Sequence, residues 1–295
     1  MRNIIIITLF FLVSITWGTT WVAMKIVIDT IPPFFATGMR FLLAAPLLII
    51  MAYYSNKPLL FPPGERYFQF FICIFYFSIP FSLMLYGGLY VNAYVSSIIF
   101  SNMPIFILIT SFFLLKKKIF FLQKIGLTIA IIILIFILFN AVCIIHDCQF
   151  KGIVALILAV ISHAIMYVKC KKKSYNVSVL TFNALPSLIS GVILLILAWF
   201  FEHPVINNFS KMSILAVIYL GDFSGICGIL SYFYLQKKVN SFHASIVFLV
   251  FPFIATILDY YIFECSVPIN QLLLTIPLMF GILLTLIPSK MKNNI

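Results

Sequence analysis

Four ionisable side chains sit inside stretches that are otherwise apolar. Asp222 lies about nine residues into a run that starts near Ser213, and Asp259 lies late in the run 243–263. Arg40 falls within 34–54 and His163 within 152–170. Ionisable groups held in hydrocarbon are costly, so each is a candidate for work on an ion or a solute. Asp222, roughly 14 Å down its helix at 1.5 Å per residue, is placed for binding a proton or cation; the alternative is a carboxylate paired to a neighbouring helix. His163, at similar depth, is either a titrating relay partner for Asp222 or a neutral ring hydrogen-bonded between helices. Arg40 has three readings: contact with a solute carboxylate, an outer gate closed onto Asp259 or Glu264, or a long side chain reaching the interface. Asp259 is read as that gating partner or as an interfacial acid reaching water.

Uncharged polar and aromatic residues supply the walls. Ser14, Trp17 with Gly18, Trp21 and Lys25 recur at three-to-four spacing, which lines one face of a helix. Trp17 is the preferred cavity residue, because Trp21 also fits an interfacial aromatic belt. Lys25 is four residues from Asp29 and pairs with it in the simplest reading. Tyr86, Ser97, Asn102 and Tyr234 complete the candidate lining. Pro104 and Pro252 fall mid-helix, where each frees a carbonyl and permits a bend. Ser97, Ser101 and Asn102 are placed to satisfy that carbonyl or a solute, and a static kink is the alternative. Cys143, His146, Asp147 and Cys148 cluster in one link, a constellation for a metal or a disulfide, but their spacing matches no well-defined zinc site and the simplest reading is a plain loop. The sequence calls for no cofactor and no bound metal.

These residues must be held by elements that repeat. A shift of 148 positions carries Tyr86 onto Tyr234, Asn92 onto Asn240 and Ser97-Ile98 onto Ser245-Ile246. The same shift carries Pro104 onto Pro252 and Gln123 onto Gln271, without a gap. Internal repeats of this size are a signature of secondary transporters. With 64% hydrophobic and 9% charged residues and a mean hydropathy of +1.19, the chain cannot cover a soluble surface. Its apolar runs of about 20 residues predict ten membrane-spanning helices, five per copy. The class is therefore all-α and polytopic, with one unit over 1–145 and a second, inverted unit over 146–295.

The net charge of +12 is mostly topology. With the N-terminus in the cytoplasm, 15 Lys and Arg side chains fall on that side, three fall outside, and Arg40 lies within a helix. Both termini are then cytoplasmic, and no nucleic-acid partner is needed to explain the charge. Five helices per copy turn the second copy over. Lys116-Lys117-Lys118 accordingly corresponds to Glu264-Cys265-Ser266, opposite in charge bias because it faces the other side.

At this point the chain resembles the EamA-type ten-helix exporters of the drug/metabolite transporter superfamily. The resemblance rests on Trp17-Gly18 with Lys25, Pro33 with Arg40-Phe41, Pro104 and Pro252, and Glu264 followed by Gln271 and Gly281. It implies a carrier in the bacterial inner membrane moving a small metabolite by alternating access. Lys116 stands where the family often has Glu, and the first helix lacks the acid of the small multidrug members. That argues against drug-cation exchange by that device. The abundance of Phe and Tyr favours an amphipathic or aromatic solute such as an amino acid, with protons as the candidate coupling ion. A non-transporting sensor or assembly component, or a membrane-embedded enzyme, is the alternative class; the loops offer an enzyme only His146 and Asp147.

Overall fold

An apolar run in lipid has no hydrogen-bond partners for its backbone except its own, so each run folds as a helix. The computed structural model describes residues 2–144, 148–173, 177–239 and 241–287. His146 and Asp147 lie outside these residues, as do the side chains of Cys143 and Cys148. Ten helices are long and apolar enough to span a membrane. They are α1 (Ile4–Ile28), α2 (Pro33–Tyr54), α3 (Arg66–Gly88), α4 (Ala93–Leu115) and α5 (Phe121–Asn140), then α6 (Gln149–Cys170), α7 (Val179–Phe201), α8 (Lys211–Lys238), α9 (His243–Phe263) and α10 (Ile269–Leu286). No strand occurs among the described residues. Side-chain caps set several starts: Asn92 accepts from the Val95 N–H at 2.9 Å, Ser178 from Thr181 and Ser210 from Ser213, both at 3.0 Å.

The packing follows the repeat. Helix α2 lies against α7, α5 against α10, and α4 against α9. Contacts of α3 and α4 with α6 are matched by contacts of α8 and α9 with α1. Each of these contacts is its own counterpart, or has one, when each helix is exchanged for the helix five places on. That is the pattern of two five-helix units related by a two-fold axis in the membrane plane. At the α5–α10 contact a Cβ on Gly126 would stand 2.6 Å from the Gly281 carbonyl, so backbones touch where only glycine fits. Gln123 bridges the same pair, its amide Nε2 donating to the carbonyls of Thr285 at 3.3 Å and Ile287 at 3.2 Å.

Two irregularities also repeat. Cys73–Ser78 in α3 and Tyr219–Gly228 in α8 are wound as π-helix, and the 148 shift carries 73–78 onto 221–226. Such turns leave carbonyls to be satisfied from elsewhere and occur at functional places. The Cys73 carbonyl accepts from Ser78 Oγ and from Ser190 Oγ on α7, both at 2.8 Å.

The prolines depart from the mid-helix expectation in one case. Helix α4 is interrupted at Asn102, and Pro104 falls in the first turn of the segment that restarts at Met103. At the interruption the Ile98 carbonyl accepts from Ser101 Oγ and Asn102 Nδ2, both at 2.7 Å. Pro252 does lie inside a continuous helix.

Candidate functional site

Arg40 is the cation at the seam between the units. Helix α2 carries it inward, 6% exposed, against α8, where a Cβ on Gly221 would stand 2.7 Å from the Arg40 carbonyl. Its guanidinium lies over the Phe81 ring, 4.8 Å from the centroid, a cation–π contact that is stronger when dry. Beside it is a cavity lined by Arg40, Phe77 and Phe81 from the first unit and by Asn183, Ser187 and Gly225 from the second. Its free volume is about 20 Å³, room for a water molecule. Among the described residues no carboxylate pairs with Arg40.

Aromatic rings continue from this cation across the seam. His163 stands edge-on to Phe81 at 5.1 Å and to Tyr76 at 5.0 Å, with Phe100 at 6.1 Å. Trp21 meets Phe100 at 4.9 Å and is 5% exposed, so it belongs to this buried chain and not to an interfacial belt. Trp17 packs one turn away, 4.7 Å from Tyr232 and 5.4 Å from Phe248. The arrangement offers a cation and ring faces, which together suit a carboxylate joined to an apolar body.

The gate expected between Arg40 and Asp259 is replaced by another pair. Asp259 is completely buried, and its Oδ1 lies 3.7 Å from Lys25 Nζ, an ion pair held by charge and not by a short hydrogen bond. Its Oδ2 accepts from the Tyr94 N–H at 3.3 Å. The carboxylate thus sits at the start of α4, where free N–H groups and the helix dipole favour an anion. Lys25 lies over the Phe263 ring at 4.9 Å and takes Asp259, not Asp29, as its partner. The reading of Asp259 as an acid reaching water also fails, because α4 covers it.

A second carboxylate does similar work without having been foreseen. Glu202, at the end of α7, accepts from the N–H groups of Phe34 at 2.8 Å and Phe35 at 3.0 Å. The Pro32-Pro33 start of α2 brings no capping side chain of its own. A lone acid at the C-terminal end of α7, where the dipole disfavours it, was the available signal. Burial raises the Glu202 pKa and the two N–H groups lower it, the balance being a raised value. The folded chain therefore holds this proton more tightly than the unfolded one. The group's contribution to stability is greatest below the ordinary carboxylate range and declines as pH rises through the raised pKa. Glu202→Gln should flatten the fall in melting temperature over that window, as followed by thermal unfolding in detergent. An unchanged profile would remove Glu202 as its source.

The remaining candidates separate. Asp222 lies in the π-helical stretch of α8 with Oδ1 buried and, among the described residues, without a hydrogen-bond partner. It is not among the cavity-lining residues, and no ion pair or hydrogen bond joins it to His163 among those described. Ser14 and Ser97 are buried, but their hydroxyls donate to the Phe10 and Tyr94 carbonyls of their own helices, both at 2.8 Å. Asn102 keeps a buried Oδ1 without a partner. Tyr86 and Tyr234 are exposed, the first bonded to the Tyr90 hydroxyl and the second beneath Lys238. Sequence reading missed Tyr76, Phe77, Phe81, Asn183 and Ser187. The rings carry no signal in a chain with 33 Phe, whereas Asn183 and Ser187 are a polar pair at helical spacing in an apolar run.

Residues 4–139 and again 150–287 match the EamA-like transporter family. The chain belongs to that family. It is 64% identical to an uncharacterized transporter of Buchnera aphidicola subsp. Schizaphis graminum, over 100% of this chain and 98% of that one. It is 56% identical to Protein PagO of Salmonella typhimurium, over 97% of this chain and 94% of that one. A solved crystal structure shares the fold with a TM-score of 0.67 at 17% identity, over 94% of each chain. As a multi-pass EamA-like transporter of the drug/metabolite superfamily, the protein has a small-molecule substrate and a membrane environment. In this EamA-like transporter the units are latched at the lysine-poor end. Beyond Lys25–Asp259 and the Glu202 cap, Ser213 Oγ donates to the Ile26 carbonyl at 2.7 Å, and the Ser210 N–H to Thr30 Oγ1 at 3.0 Å.

Proposed function

We propose that the protein is a secondary carrier that exports a small amphipathic metabolite bearing a carboxylate, an aromatic or apolar amino acid being the type case. One observation carries this reading: Arg40 is buried among aromatic rings at the seam of the two units, with no carboxylate among the described residues to neutralise it. A buried cation is stabilised by a paired, hydrogen-bonded anion, and a solute carboxylate supplies one. The rings of Phe77 and Phe81 then take the solute's apolar body.

The charge distribution supports placing the lysine-rich end and both termini in the cytoplasm of a bacterial inner membrane. The junction of the units falls at 145–146. The latch at the lysine-poor end and the small cavity then correspond to a state closed to the outside. Transport alternates this state with one in which the Lys25–Asp259 pair is broken and Arg40 faces outward. Asp222, whose buried Oδ1 has no hydrogen-bond partner among the described residues, is the coupling group that binds a proton or small cation.

Uptake and efflux of a metabolite panel in proteoliposomes, under an imposed pH gradient, tests the reading. Wild type should move apolar and aromatic amino acids faster with the gradient than without it. Asp222→Asn should transport at a rate that no longer responds to the gradient. A response unchanged in that variant would take Asp222 out of the coupling step. Failure of every carboxylate-bearing solute would overturn the substrate class.

A further inference from the structure

At the lysine-rich end, α3, α4 and α6 part to leave a crevice of about 390 Å³. Its walls are Phe68 and Phe71 from α3, Leu114 and Leu115 from α4, and Met166 from α6, with Lys169 at the rim. Phe71 and Leu114 are exposed, so the crevice opens sideways to the hydrocarbon. It shares no residue with the Arg40 cavity. Lys116 ends α4 in the left-handed conformation, at a φ of 52°, and turns the chain immediately above the crevice. Lys117 and Lys118 follow, and all three are exposed.

The equivalent place in the second unit differs in its residues and in its ties. The 148 shift carries Phe71 onto Tyr219, Leu114-Leu115 onto Ile262-Phe263 and Lys116 onto Glu264. There α1 takes the role of α6, and hydrogen bonds from Thr19 to Tyr219 and from Thr20 to Ser224 tie it to α8. The Lys25–Asp259 pair ties α1 to α9. Helix α6 is tied to α3 by Ser162 Oγ donating to the Phe75 carbonyl at 2.8 Å, and the crevice opens beyond that bond. The opening and the cations therefore occur together at the lysine-rich end.

We propose that this crevice is a binding site for an anionic phospholipid, with an acyl chain between α3, α4 and α6 and the phosphate held by Lys169 and the Lys116–Lys118 turn. The apolar walls face the bilayer and the cations stand at headgroup depth, which is the arrangement of a basic lipid pocket between spanning helices. A water-soluble anion would leave the apolar walls unfilled, and a neutral lipid would leave the lysines unpaired.

The test measures lipid retention by native mass spectrometry, and thermal stabilisation in detergent, with phosphatidylglycerol, phosphatidylcholine and the chain-free glycerophosphoglycerol headgroup as probes. Phosphatidylglycerol should bind more than about tenfold tighter than phosphatidylcholine, and the headgroup alone should not compete. The surface variant Lys116→Gln/Lys117→Gln/Lys118→Gln/Lys169→Gln should abolish that preference. Leu115→Trp, which fills the crevice, should lose phosphatidylglycerol with all four lysines present. Equal binding of the two lipids, a preference surviving in the lysine variant, or competition by the headgroup alone would each overturn the proposal.

Discussion

Lys25→Met is expected to destabilise the protein by about 3–5 kcal/mol, the cost of stripping one partner from a buried ion pair. Asp259 is completely buried, and without Lys25 its charge is left with the backbone N–H groups of Ala93 and Tyr94 at the start of α4. Asp259→Asn should be milder than Asp259→Ala, because an amide oxygen still accepts from the Tyr94 N–H while the methyl leaves that donor unpaired. The double variant Lys25→Met/Asp259→Asn should recover most of the loss, since neither charge is then stranded. Thermal unfolding of the four purified proteins in one detergent measures the coupling. Additive losses would mean that the pair does not act as a unit, and the latch would reduce to the contacts of Glu202, Ser210 and Ser213.

Arg40→Gln should raise KM for a carboxylate-bearing substrate about 100-fold, the scale expected when a buried charge-assisted contact worth roughly 3 kcal/mol is lost. The informative comparison is with the decarboxylated amine of the same solute. Wild type should prefer the acid, and Arg40→Gln should transport acid and amine alike. Arg40→Lys should fall between, because an ammonium restores the charge but not the planar fork. If Arg40→Gln weakened both solutes equally at an unchanged melting temperature, Arg40 would have no role in reading the carboxylate. Competition transport in proteoliposomes with both solutes present provides the measurement.

Much of the architecture was legible in the order of residues because lipid removes alternatives. A run of about 20 apolar residues has one way to satisfy its backbone, so ten runs meant ten helices. The repeat was legible too, since a shift of 148 aligned Asn92 with Asn240 and Gln123 with Gln271. The same shift aligns the π-helical turns, which no residue pattern announced: Cys73–Ser78 and the stretch from Gly221 share only Phe75 with Phe223. Pro104 misled because a proline marks a break without saying on which side of it the helix stops; Asn102 took the interruption.

Partnership between charges was the part that order alone could not supply. Lys25 has Asp29 one turn away, and local spacing favours that pair. The fold instead brings Asp259 from more than 200 residues on, because α1 and α9 cross beside the start of α4. Glu202 and Phe34 are joined in the same way across 168 positions. Spacing along a helix reports which residues share a face, not which face of another helix meets it. The chain's own order thus determined ten spans, their repetition and the family, all properties of composition and period. Helix crossings decided which acid meets which cation, and left Arg40 among rings without an acid among the described residues.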